Sequence, residues 1–258
     1  TDILVKLRAG EEADILVDVK DLPELNELSY SASDGLTLGA AVPCYRVYED
    51  PDIQRLYPGL VDAASLIGGI QIQGRASLGG NLANAAPSGD SIPAMIALEG
   101  TAEIAGPKGR RTVAAEDFCT GPGRSVLEAG EVLVSITFPA PKDNQGASFL
   151  RFIPRNEMDI AVANSGVSVV LDDSKKNIVS ARIALGSVAP VVVVAKEAMD
   201  FLAGKEANDE TFKQAGEAAK SAATPITDMR GTIKQRLHLV GVMTERALKI
   251  ATSRARGE

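Results

Sequence analysis

The sequence predicts an α+β protein of two domains, and three observations lead there. At 258 residues the chain is longer than one typical domain. Helix and strand patterns mix through its first half. In its second half three strand patterns come first and three helix patterns follow, without the alternation that a parallel sheet requires. Hydrophobic residues at 45% and charged residues at 24% fit a globular chain with a sizeable core.

Taken in order, residues 2–8 read as a short helix stopped by Gly10, and the apolar run at 15–19 reads as a buried strand. Strands at 27–31 and 36–40 are joined by Ser33, Asp34 and Gly35, whose Asp-Gly pair suits a tight reversal. Helices follow at 45–50, ending before Pro51, and at 60–67, ending at Gly68 and Gly69. Residues 68–90 are dominated by Gly, Ser, Asn and Ala and read as an ordered loop. A helix at 91–98 has Asp90 or Ser91 as cap and Pro93 in its first turn. Strands are expected at 101–105, 111–114 and 131–138, and the polar, proline-bearing stretch 139–146 marks the domain boundary. Beyond it, strands at 147–153, 161–171 and 178–185 precede helices at 195–202, 210–222 and 233–254. That order predicts an antiparallel sheet covered on one face.

Composition excludes several functions. A net charge of -7 disfavours a phosphate-neutralising surface and so nucleic acid. The longest apolar stretches, such as residues 188–195, are far short of the roughly 20 residues that span a bilayer. No basic region followed by an apolar stretch suggests secretion, so a cytoplasmic chain is expected. Two cysteines, Cys44 and Cys119, cannot supply the four thiolates of an iron–sulfur cluster and read as reduced, small hydrophobes. A single histidine, His238, leaves no material for a metal site or an imidazole-based triad. Arg110 and Arg111 read as a solvated hairpin edge, and residues 121–123 as a turn.

The informative stretch is residues 71–90, QIQGRASLGGNLANAAPSGD. Adjacent Gly79 and Gly80 let the backbone approach a ligand and adopt φ > 0, so that successive N–H groups face an anion. Ser77, Asn81, Asn84 and Ser88 add short neutral hydrogen-bonding groups, and the Asp90 carboxylate suits sugar-like hydroxyls. A glycine pair alone only turns a chain. Four small polar residues and one acid in so short a stretch exceed what a turn needs and suit a diphosphate nucleotide bearing a polyol. Neither a P-loop lysine nor a Rossmann glycine pattern is present.

Residues 71–90 closely resemble the flavin-binding signature of the FAD subunits of the molybdenum hydroxylases, the xanthine dehydrogenase-like and carbon monoxide dehydrogenase-like enzymes. Gln73 and Gly74 depart from the Arg-Asn usual there, ahead of the flavin loop itself. The resemblance covers nearly the whole chain. It implies a PCMH-type FAD-binding domain of two subdomains over residues 1–140, entered inside its first subdomain, and a C-terminal domain of antiparallel sheet plus helical bundle over 145–258. Thr1, Asp2 and Ile3 resemble the tail of the family's first glycine loop, whose two glycines would precede residue 1. By the same resemblance Ser77, Gly79, Gly80 and Asn81 serve the diphosphate, Asn84 and Asp90 the ribityl or ribose hydroxyls, and Ala76 counts among the cofactor-binding residues. Ile72 and Leu133 would flank the ring system, and Arg151 stands where relatives often have a flavin-proximal lysine.

The implied function is an oxidoreductase subunit that carries FAD as its own cofactor. A large partner holds the molybdenum cofactor and a small partner the 2Fe-2S clusters, in a heterotrimer or its dimer. FAD would pass their electrons to NAD, a quinone or another acceptor. No residue of this chain is expected to act as a catalytic acid or base, and none to bind a metal. Two alternatives stand beside it: a free-standing FAD-dependent oxidoreductase of the same fold superfamily, and a scaffold without cofactor.

Overall fold

A computed structural model describes residues 1–258. Helix α1 (Asp2–Arg8) opens the chain and is followed by strands β1 (Leu28–Ser31) and β2 (Gly35–Gly39). Four short helices come next: α2 (Cys44–Glu49), α3 (Pro51–Leu56), α4 (Pro58–Ala64) and α5 (Ile70–Gln73). Asp50 stops α2 and starts α3, because its Oδ1 accepts from the N–H groups of Asp52 and Ile53 while Pro51 fills the first helical position. Helices α6 (Leu78–Asn84) and α7 (Ser91–Ala97) lead to the hairpin of β3 (Thr101–Gly106) and β4 (Gly109–Ala114). A helical turn, α8 (Ala115–Phe118), and the small hairpin of β5 (Cys119–Gly121) and β6 (Arg124–Ser125) precede β7 (Val132–Phe138).

These strands form one antiparallel sheet in the order β1-β2-β7-β3-β4 and one separate two-stranded pair, β5 with β6. Alternation places Leu36, Leu38, Ile104, Ile136 and Phe138 in a single hydrophobic cluster with α2, α4, α6 and α7. The second half contains β8 (Gln145–Phe152), β9 (Ala163–Leu171), β10 (Ile178–Gly186) and the short β11 (Val193–Val194). Helices α9 (Lys196–Leu202), α10 (Asp209–Ala219) and α11 (Ile233–Arg256) complete the chain. Asn208 caps α10 through Thr211 N–H, and Thr232 caps α11 through Gln235 N–H.

The α+β class and the order of strands before helices are borne out, and three expectations are corrected. Residues 15–19 form no strand. Ile15, Leu16 and Val17 lie exposed and the run pairs with no strand, and an apolar run without a pairing partner cannot become a strand. Residues 68–90 are not loop throughout, since α5 and α6 occupy much of them. The second sheet, ordered β11-β10-β9-β8, is covered on both faces. Val167, Val169 and Leu171 join the cluster with α10 and α11, whereas Gly166 on the opposite face lies against α7. A Cβ on Gly166 would stand 2.5 Å from the Pro93 carbonyl carbon, so this close approach requires glycine.

Polar ties fix the two halves together. Arg254, near the end of α11, donates to both carboxylate oxygens of Asp62 in α4 at 2.6 and 2.9 Å and to Ala147 O at 2.7 Å. Asp62 also accepts from the Phe149 N–H at 3.0 Å. No helix is long and apolar enough to cross a membrane.

Candidate functional site

Helix α6 sets the geometry of the glycine-rich stretch. Ser77 is its N-cap and accepts from the Gly80 N–H at 3.0 Å. Neither Gly79 nor Gly80 has positive φ, contrary to the expectation of a left-handed glycine cradle. The capping serine instead draws both glycines into the first helical turn, which presents backbone N–H groups by another route. Their roles differ. A Cβ on Gly79 would lie 2.4 Å from Ala40 Cα and 2.5 Å from Ala40 O, so this glycine serves close packing of α6 on the end of β2. Gly80 is exposed, and a Cβ there would meet only the Ser77 hydroxyl, at 2.9 Å. Gly80 therefore keeps the solvent side of the turn open.

Asn81 is half-buried. Its Oδ1 accepts from Ser91 Oγ at 2.8 Å and from Ser91 N–H at 3.2 Å, tying α6 to the start of α7. Asn84 is half-buried one turn on. Asp90 occupies the N-cap position of α7 but caps nothing, because its Oδ2 pairs with the Arg151 guanidinium of β8. Burial pushes the Asp90 carboxyl up to about 6, against the opposing pull of Arg151.

Arg151, Asn164 and Gly186 are register partners across β8, β9 and β10, on the sheet face toward α7. Asp90 Oδ1, Arg151 Nε and both amide atoms of Asn164 are buried without hydrogen-bond partners. Four orphaned polar atoms in one place are costly unless something satisfies them. The β8–β9 loop lies against the start of α5, since a Cβ on Gly69 would stand 3.0 Å from the Met158 side chain.

The remaining expected residues are more scattered. Ala76 is buried just before the cap, and Ile72 is half-buried in α5 against the first hydrophobic cluster. Leu133 is only 4% exposed, inside that cluster. Thr1, Asp2 and Ile3 form the exposed start of α1, and no hydrogen bond joins them to residues 76–91. Asn164, Ser187 and Arg236 were not anticipated. The signal for Asn164 was an amide inside a strand otherwise made of small and apolar residues.

Two families divide the chain between them. Residues 1–141 match the FAD binding domain in molybdopterin dehydrogenase, and residues 148–251 match the CO dehydrogenase flavoprotein C-terminal domain. The chain belongs to this family. It is 32% identical over its whole length to a xanthine dehydrogenase FAD-binding subunit of Escherichia coli O157:H7, spanning 88% of that protein. It is likewise 32% identical, over 97% of its length and 86% of the relative's, to the carbon monoxide dehydrogenase medium chain of Hydrogenophaga pseudoflava. In solved structures, a chain of carbon monoxide dehydrogenase from that organism superposes with a TM-score of 0.92 at 31% identity, covering 98% of this chain and 87% of the other. A chain of quinoline 2-oxidoreductase from Pseudomonas putida 86 gives 0.90 at 32% identity, with the same coverage. The protein is thus an FAD-binding medium subunit of the molybdenum hydroxylase family, an oxidoreductase flavoprotein.

The residues present fit FAD. An open helical turn with a capping serine suits phosphate oxygens, and unpartnered carboxylate, guanidinium and amide atoms suit a polyol and a heterocyclic edge.

Proposed function

We propose that this chain is the electron-transfer subunit of a multi-subunit molybdenum enzyme. Electrons from substrate oxidation at the large subunit pass through 2Fe-2S clusters of a small subunit to FAD on this chain, and onward to NAD, a quinone or another acceptor. The assembly is a heterotrimer or its dimer. When bound, FAD supplies the exchange between one-electron clusters and a two-electron acceptor.

The chain's own residues bind and orient that cofactor. Ser77, Gly79, Gly80 and Asn81, approached through Ala76, face the diphosphate at the first turn of α6. Asn84 and Asp90 take ribityl or ribose hydroxyls, and Ile72 and Leu133 support the ring from the first domain. Arg151 neutralises Asp90 and, with its unpartnered Nε–H, faces the flavin. Thr1, Asp2 and Ile3 border the first cofactor loop. The FAD-binding domain covers residues 1–140 and the C-terminal domain 145–258.

The observation that supports this placement most is the set of unpartnered buried polar atoms on Asp90, Arg151 and Asn164, next to the open turn at Gly80. The test is purification with a visible spectrum. Bound flavin, with no turnover until molybdenum- and cluster-bearing partners are added, supports the reading. Turnover by this chain alone contradicts it.

A further inference from the structure

Asn164 is a poor choice for the fold alone. It lies near the start of β9, 0% exposed, and both polar atoms of its amide are buried without a partner. A leucine of nearly the same volume would fill the site without that cost. Its neighbours across the sheet are Arg151 on β8 and Gly186 on β10, and its amide lies beside the Asp90 carboxyl, where it favours the charged form.

Gly186 makes room for this amide. A Cβ there would stand 2.3 Å from Asn164 Oδ1 and 3.0 Å from its Cγ, so any other residue would displace the side chain. The Gly186 backbone cannot withdraw, because the next residue is held from both sides. Ser187 is left-handed at φ 65°; its N–H donates to Pro87 O at 2.8 Å and its O accepts from Arg236 Nη1 at 2.8 Å. The Pro87 contact also ties down the segment that ends in Asp90. Arg151 holds Asp90 Oδ2 and is the one charged group acting on that carboxyl. Helices α6 and α7 contribute Asn81 and Ser91 here, which carry no charge. Asp90 Oδ1 is left free to accept. Burial alone would drive the carboxyl to its neutral form, which loses an acceptor.

We propose that Asn164 is a positioning residue of the cofactor site: its amide, admitted by Gly186, keeps the Asp90 carboxylate ionised so that Oδ1 can accept from a cofactor hydroxyl. The proposal rests on the reading of the chain as an FAD carrier. It gives Asn164 no contact with the cofactor, only an action through Asp90.

The full-length protein is prepared as wild type, Asn164→Leu, Asn164→Ala and Asp90→Asn. FAD affinity is titrated by flavin fluorescence between about pH 5 and about pH 9, a range that spans the ionisation of a raised carboxyl. Wild-type affinity should rise with pH through about 6, as Asp90 gives up its proton, and then level off. Loss of the amide should move that midpoint up by about one pH unit in both Asn164 variants, with affinity recovering at the alkaline end. The alanine variant carries the test if leucine does not fold. Asp90→Asn should show no midpoint. Affinity lowered by one factor at every pH, with the midpoint unmoved, would mean that Asn164 only packs and would overturn the proposal. A midpoint that survives Asp90→Asn, or wild-type affinity that does not vary with pH, would overturn it too. A wild-type protein that binds no FAD at any pH would overturn the reading beneath it as well.

Discussion

Gly79 and Gly80 are neighbours with opposite structural tasks, so replacing each by alanine should separate folding from cofactor binding. At Gly79 the new methyl would stand 2.4 Å from Ala40 Cα, about 1 Å inside an ordinary contact, and backbone atoms cannot rotate away. Helix α6 must therefore shift off β2, an overpacking that costs about 1–3 kcal/mol. At Gly80 the methyl meets only the Ser77 hydroxyl, which can turn aside, and alanine favours a helix over glycine by up to about 1 kcal/mol. Urea denaturation should then show Gly79→Ala destabilised and Gly80→Ala unchanged or slightly stabilised. Flavin fluorescence titration should show FAD affinity reduced at least about tenfold in both, the first because the turn has moved and the second because the methyl fills the diphosphate's approach. Gly80→Ala binding FAD as wild type does would refute the placement of the diphosphate, and an undisturbed Gly79→Ala would refute the packing argument.

Three further outcomes follow from the same geometry. The Asp90 carboxyl titrates near 3.8 when unfolded and about 6 when folded, so the native state takes up its proton first and stability is lost as pH rises through that window. Denaturation midpoints should carry this component, and Asp90→Asn should abolish it; an identical pH profile in the variant would contradict the assignment. Arg254→Met removes two charge-assisted hydrogen bonds from α11 to Asp62 in the first half and a third to Ala147 O of β8, and should cost about 2–3 kcal/mol in urea denaturation, whereas a loss below about 0.5 kcal/mol would show that the tie is not structural. Burial pushes the Cys44 thiol up to about 12, so native protein at pH 8 should resist alkylation there and denatured protein should not, as mass spectrometry of the labelled peptide would show.

Much of the fold was legible because local chemistry and tertiary structure agree. The Asp34-Gly35 reversal, the boundary at Pro51 and the long periodicity of α11 read correctly from sequence, whereas the short helix α3 that starts at Pro51 was not expected. The failures share a cause, since each depended on what stands opposite in space. Residues 15–19 carry a strand pattern but lack an edge to join. Gly166 looked like an ordinary strand residue, yet it marks the approach of α7 to the far face of the second sheet. The glycine pair pointed to the right segment and the wrong backbone, because the cap from Ser77 and the contact with Ala40 decide the conformation. In the site, Asp90 and Arg151 were both expected, and the structure joins them across 61 positions of sequence. Asn164, Ser187 and Arg236 escaped because their interest lies in missing partners and in a strained φ, which no residue pattern displays.

The proposed cofactor site stands or falls on where the phosphates of FAD sit. A crystal structure of the FAD-loaded protein tests this most directly. Diphosphate oxygens are expected within hydrogen-bonding distance of the first-turn N–H groups of α6 and of Asn81, with Asp90 facing sugar hydroxyls. Phosphates bound elsewhere, with the turn at Gly80 open to solvent, would contradict it.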